Sequence, residues 1–128
     1  MKIEHFAINV SNPVEMTDWY VEHIGLKVVK QEKEAPHTTF LADDGGRVML
    51  EIYNNPPDDV PDYENMDPLI VHVALVSENP VKDKKRLMEA GASFISDDKL
   101  EDGSHLVMLR DPWGLPLQLC KRGVSMLT

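Results

Sequence analysis

The stretch IEHFAINV at residues 3–10 returns in shortened form as IVHVAL at residues 70–75. Each copy opens on Ile, sets a His two positions later and an Ala two after that, and the two copies are offset by 67. Alternation of this kind reads as a half-buried β-strand. Phe6, Ile8 and Val10 share one face, and Ile3, His5, Ala7 and Asn9 share the other. The apolar set is expected to pack under a helix. The other set, with a His, an Ala and an Asn, suits a cavity.

The segment after each of these strands repeats as well. Asn12-Pro13-Val14 and Asn79-Pro80-Val81 stand at the same offset. In both, Asn is placed as an N-cap and Pro at the first helical position; Glu15 adds the third member of a capping box in the first copy. The first helix is expected over residues 13–24, with Trp19, Tyr20, Val21 and Ile24 against the sheet and Gly25 as its stop. The second runs to about Ala90 and stops at Gly91, with Lys82, Lys84, Lys85 and Arg86 in solvent and Val81, Leu87 and Met88 buried. Strands are expected at 26–30, 38–42 and 47–53, then at 92–95, 104–110 and 115–121. The chain is thus α+β, with a β-α-β-β-β module at 1–53, a Pro-rich acidic linker at 54–68, a second module at 69–122 and a tail at 123–128. Two modules of this size are expected to share a core, because each alone buries too little surface.

The net charge of −9, with no basic run, lacks the electrostatic footprint of a nucleic-acid or anionic-membrane binder. The single cysteine, Cys120, excludes an intramolecular disulfide and a Cys-based zinc site. The chain enters a strand directly, without a signal-peptide pattern, and no apolar run approaches the ~20 residues of a membrane span. A cytoplasmic location is expected.

In the last strand of the first module, Glu51 falls on the face opposite Val48, Leu50 and Ile52; in the last strand of the second, Gln118 falls opposite Leu115, Leu117 and Leu119. His5 to Glu51 is 46 positions, and His72 to Gln118 is again 46. Two imidazoles, a carboxylate and an amide oxygen at repeat-equivalent places form a mixed N/O donor set. Such a set suits Ni, Co, Zn, Fe or Mn as the divalent ion, with coordination positions left open. His23, His37 and His105 lie outside this pattern and read as surface residues.

The βαβββ repeat, the IEHFAINV and IVHVAL strands, VMLEIY at 48–53 and RDPWGLPLQL at 110–119 resemble the vicinal oxygen chelate superfamily of glyoxalase I, bleomycin resistance proteins and dioxygenases. The chain is most similar to short bacterial glyoxalase I-type proteins. That resemblance implies an eight-stranded, cup-shaped mixed sheet flanked by helices, and a homodimer. It places the metal ligands on His5, Glu51, His72 and Gln118. It implies a metal-dependent lyase or isomerase acting on a small carbonyl compound or thiol adduct, with Glu51 as the proton-moving catalytic residue. The family pattern has Glu where this chain has Gln118, and Arg where it has Asn9. Asn9, Tyr53, Asn55 and Met108 are expected to line the substrate space. The alternative from the same resemblance is a protein of bleomycin-resistance type that sequesters a drug or metabolite without chemistry.

Overall fold

The computed structural model describes residues 1–127. They form eight strands and two α-helices, divided into a unit from Met1 to Pro61 and a unit that starts at Asp62.

In the first unit, β1 (His5–Asn9) leads to α1 (Pro13–Trp19), then β2 (Lys27–Gln31), β3 (Thr39–Ala42) and β4 (Met49–Tyr53). The sheet order is β1-β4-β3-β2, with β1 parallel to β4 and the other pairs antiparallel. The second unit repeats this as β5 (Val73–Val76), α2 (Pro80–Glu89), β6 (Ser93–Lys99), β7 (His105–Arg110) and β8 (Pro116–Lys121), in the order β5-β8-β7-β6. The duplication extends to register: Ala7 pairs with Glu51, and Ala74 with Gln118.

Each core lies between one sheet face and its helix. Ile8, Val10, Leu41 and Ile52 are buried in the first unit together with Met16, Trp19 and Tyr20 of the helical segment. In the second, Leu87 of α2 is buried, as are Val107, Leu109, Leu117 and Leu119 of the sheet. Other expectations need correcting. Phe6 is 55% exposed, because it lies near the start of an edge strand. Val21 is exposed, and so are Val81 and Met88. On α2 only the Pro80–Leu87 stripe turns inward; Val81 and Met88 lie about 100° further round the helix.

The first helix continues past Trp19 as a π turn, Tyr20–Ile24, and ends at Gly25 with φ +85°. Its cap also departs from expectation: the Asn12 side chain makes no capping bond, and the backbone bond from Met16 N–H to the Asn12 carbonyl closes the turn. Asn79 does cap α2, accepting from the Lys82 N–H at 3.1 Å. β5 begins later than its apolar pattern implied. The chain turns at Asp67, whose backbone carbonyl accepts from Ile70 N–H and whose side chain accepts from Leu69 N–H.

The Pro-rich stretch is tied down at both ends. Asn9 Nδ2 donates to the carbonyls of Pro56 and Asp59 at 2.8 and 3.0 Å, while its Oδ1 accepts from Asn55 N–H at 2.7 Å. Asn54 Nδ2 donates to the Val10 carbonyl. In the second unit, the Arg110 guanidinium donates to the carbonyls of Tyr63, Met66 and Gly114. These bonds satisfy backbone groups that a sequence without periodicity leaves unpaired. No helix among the described residues is long and apolar enough to cross a membrane.

Candidate functional site

Strand register determines which side chains share a face. In the first unit, the pairs His5–Met49, Ala7–Glu51 and Asn9–Tyr53 set all six residues on the face turned away from the Ile8–Ile52 core. Phe40 pairs with Glu51 from the other side. His5 Nε2 stands 3.9 Å from Glu51 Oε1, and the imidazole meets the Phe40 ring edge-on with centroids 5.5 Å apart. Ala7 has no side chain beyond Cβ, so it leaves open space beside the Glu51 carboxylate.

His5 Nδ1 lies 2.9 Å from Glu4 Oε1. A carboxylate only accepts, so Nδ1 is the donor in this contact, and Nε2 is the nitrogen turned toward Glu51. His72, immediately before β5, shows the same arrangement with another acceptor: Nδ1 lies 2.9 Å from the Pro68 carbonyl oxygen. Oxygen partners on Nδ1 are the usual way to orient a metal-binding imidazole through Nε2. The residue types and ring orientations therefore fit a divalent cation. The 3.9 Å separation of Nε2 and Oε1 is somewhat wider than the roughly 3 Å between adjacent ligands bonded at about 2.1 Å. Among the described residues, no group of three or more His, Cys, Asp and Glu side chains is already placed to hold a metal.

In the second unit, Ala74, Gln118 and Met108 share one face, and Val76, Cys120 and Leu106 continue it. A cleft runs beside the β5 edge, lined by Ala74, Val76 and Cys120 and by Met126 and Leu127 of the tail. Gln118 is half-buried and its Oε1 accepts from the Cys120 thiol at 3.2 Å. Burial pushes the Cys120 thiol pKa up, so it stays protonated and able to donate.

The remaining expected residues divide by what already occupies them. Asn9 and the Asn55 N–H are engaged with each other and with the following loop. Tyr53 is half-buried beside Asn9, and Met108 is buried beside Gln118 on the neighbouring strand. Outside the quartet, His23 packs against Trp19. His37 lies in a loop at φ 59°. His105 Nε2 stands 2.6 Å from Asp97 Oδ1, and Lys84 approaches the other oxygen of that carboxylate at 3.5 Å. Sequence reading missed Glu4 and Pro68 as partners of the two histidines, and Cys120 as the partner of Gln118. Glu4 precedes His5 and Cys120 follows Gln118 by two on one strand face, so those two were within reach of spacing arguments. Pro68 was not, since its carbonyl reaches His72 only through the turn at Asp67.

The model of the Glyoxalase/Bleomycin resistance protein/Dioxygenase superfamily matches residues 2–119. Among curated protein sequences, none matches. The fold is similar to that of TnmS3, an antibiotic binding protein from Streptomyces sp. CB03234, with TM-score 0.73 and 19% identity over 95% of this chain and 96% of that one. It is also similar to lactoylglutathione lyase from Agrobacterium tumefaciens, with TM-score 0.68 and 18% identity over 98% and 96% of the two chains. A glyoxalase family protein from Bacillus cereus gives TM-score 0.73 at 15% identity, over 95% and 93%.

Proposed function

The chain belongs to the Glyoxalase/Bleomycin resistance protein/Dioxygenase superfamily, and on that premise we propose that it is a metal-dependent lyase or isomerase of glyoxalase I type. Its substrate is a small carbonyl compound or a thiol adduct of one. The observation that carries this reading is the shared state of His5 and His72. Each has Nδ1 bonded to an oxygen, which leaves Nε2 as the nitrogen free to face a ligand, and the two stand at the sequence offset of 67 that relates the modules.

His5, Glu51 and His72 would hold the ion, with Gln118 at the fourth polar place. When bound, a divalent cation in such a set polarises a substrate oxygen. Glu51 is the carboxylate of the quartet; it takes the proton from the carbon next to the carbonyl and returns it to the former carbonyl carbon, while the hydroxyl proton of the first carbon passes to the oxygen of the second, so the product is an isomer of the substrate. Phe40 and Tyr53 supply apolar surface beside it, which orients the substrate and limits water. Asn9 places an amide already committed to its own loop where a cation would serve an anionic substrate group; this favours a substrate without a carboxylate at that point.

The test is turnover of hemithioacetals and free α-ketoaldehydes by the metal-loaded parent and by Glu51→Gln. The expected result is loss of at least about a hundredfold in kcat for the variant, the scale of a general base. Unchanged turnover would remove Glu51 from that role.

The second reading, a binder that sequesters a drug or metabolite, is favoured by one observation: Gln118 replaces the second carboxylate by a group that takes no proton at neutral pH. Metal content separates the two readings. Protein purified without added metal that also takes up none on titration would point to the binder.

A further inference from the structure

We propose that Gln118 acts through its NH2 group, as a hydrogen-bond donor to a ligand oxygen, and that Cys120 is the positioning residue that turns it that way. This rests on the reading that the Gln118 face of the second sheet binds the ligand.

The geometry begins with β8. Gln118 and Cys120 are two residues apart on one strand and so emerge on the same face. Cys120 Sγ stands 3.2 Å from Gln118 Oε1. Cys120 is 7% exposed, so the contact lies within the packed face of the sheet. The amide could meet the sulfur by either end, but turning NH2 toward it would set donors against a weak acceptor. The S–H to oxygen arrangement is therefore the stable one. Oxygen and nitrogen leave the same amide carbon about 120° apart, by the trigonal geometry of an amide. With the oxygen held at Cys120, the nitrogen faces away from it, and its two protons are what Gln118 offers to a ligand. Ala74, the cross-strand partner of Gln118, has no side chain long enough to claim them.

The first module has no such device. Glu51 occupies the equivalent place and Tyr53 stands where the thiol would be. The duplicated positions have thus diverged into an anionic acceptor at Glu51 and a neutral donor at Gln118. A donor there suits a carbonyl, carboxylate or enolate oxygen, where it stabilises negative charge. It also removes Gln118 from the set of metal ligands, which leaves His5, Glu51 and His72.

Two measurements decide the proposal. In 15N-labelled, metal-free protein, the side-chain NH2 signals of Gln118 are assigned by their loss in Gln118→Leu. Cys120→Ser, which keeps a donor, is expected to leave them near their parental positions, and Cys120→Ala to shift them and draw the two protons together. Signals unmoved in Cys120→Ala would overturn the positioning role. In Co²⁺ titrations, Gln118→Leu is expected to retain the parental affinity within about threefold, while His72→Ala weakens it by at least about tenfold. Equal losses in the two variants would show that the amide oxygen is a ligand and overturn the proposal. Absence of Co²⁺ uptake by the parent would instead sink the metal-dependent function above, and the NMR comparison would still decide how Gln118 is held.

Discussion

Gly114 shows how closely single residues are constrained near the end of the second module. Its φ is +91°, and a Cβ there would lie 2.7 Å from Glu64 N, Cα and Cβ. Gly114→Ala combines a strained backbone with an overlap against main chain, so it is expected to cost about 2–4 kcal/mol. Urea unfolding would measure it; a loss below about 0.5 kcal/mol would contradict the close approach. Asp97 supplies a pH-dependent counterpart. The hydrogen bond from His105 holds its carboxyl below the ordinary value, against a smaller opposing effect of burial, with Lys84 adding to the lowering. An unfolded chain therefore binds the Asp97 proton first as the pH falls. The stabilisation is complete above the ordinary Asp range, near pH 4, and is lost as the pH drops through it toward the lowered folded value. Asp97→Asn is expected to flatten the acid limb of stability against pH; an unchanged limb would rule out this pair as a contributor. At this scale the sequence disclosed residue types but not their partners. His5 and His72 were legible from spacing as a matched pair, whereas the Glu4 and Pro68 contacts of their Nδ1 atoms depend on local backbone geometry.

Elements were more legible where periodicity and register agree. The eight strands and two helices follow from alternation and from Asn-Pro starts, and the offset of 67 reappears in the Ala7–Glu51 and Ala74–Gln118 pairings. Burial on individual faces was less legible. Phe6, Val81 and Met88 are apolar yet exposed, because apolarity alone does not say how far a helix or strand end is covered. The Pro-rich stretch had no periodicity to read, so its attachment to β1 through Asn9 and Asn54 came only with tertiary structure. Those bonds predict that Asn9→Ala releases the 54–59 segment. Stability should fall by about 1–2 kcal/mol, and limited proteolysis should cut there first. An unchanged cleavage pattern would mean that the prolines alone hold it. Leu87→Ala, which opens a hole between α2 and its sheet, should cost more, about 2–5 kcal/mol.

For the whole molecule, the family gives the fold and its duplication, and the chemistry depends on residues this chain holds in its own way. Module 1 offers an imidazole and a carboxylate; module 2 offers an imidazole and a thiol-held amide. Both β1 and β5 are edge strands of their sheets, with exposed Ile3 and Phe6 beside one and exposed Ile70 and Val76 beside the other. A second copy of the chain covering such edges would explain why they remain apolar. Light scattering is expected to give twice the 14.5 kDa chain mass, and a monomer across the micromolar range would exclude that assembly.

Whether repeat-equivalent residues of the two modules serve one metal is decided by anomalous diffraction at the cobalt edge, from crystals of Co²⁺-loaded protein. The expected result is one ion per chain, bonded at about 2.0–2.2 Å to His5 Nε2, the Glu51 carboxylate and His72 Nε2. An ion held by the residues of one module alone, or no ion at these side chains, would contradict it.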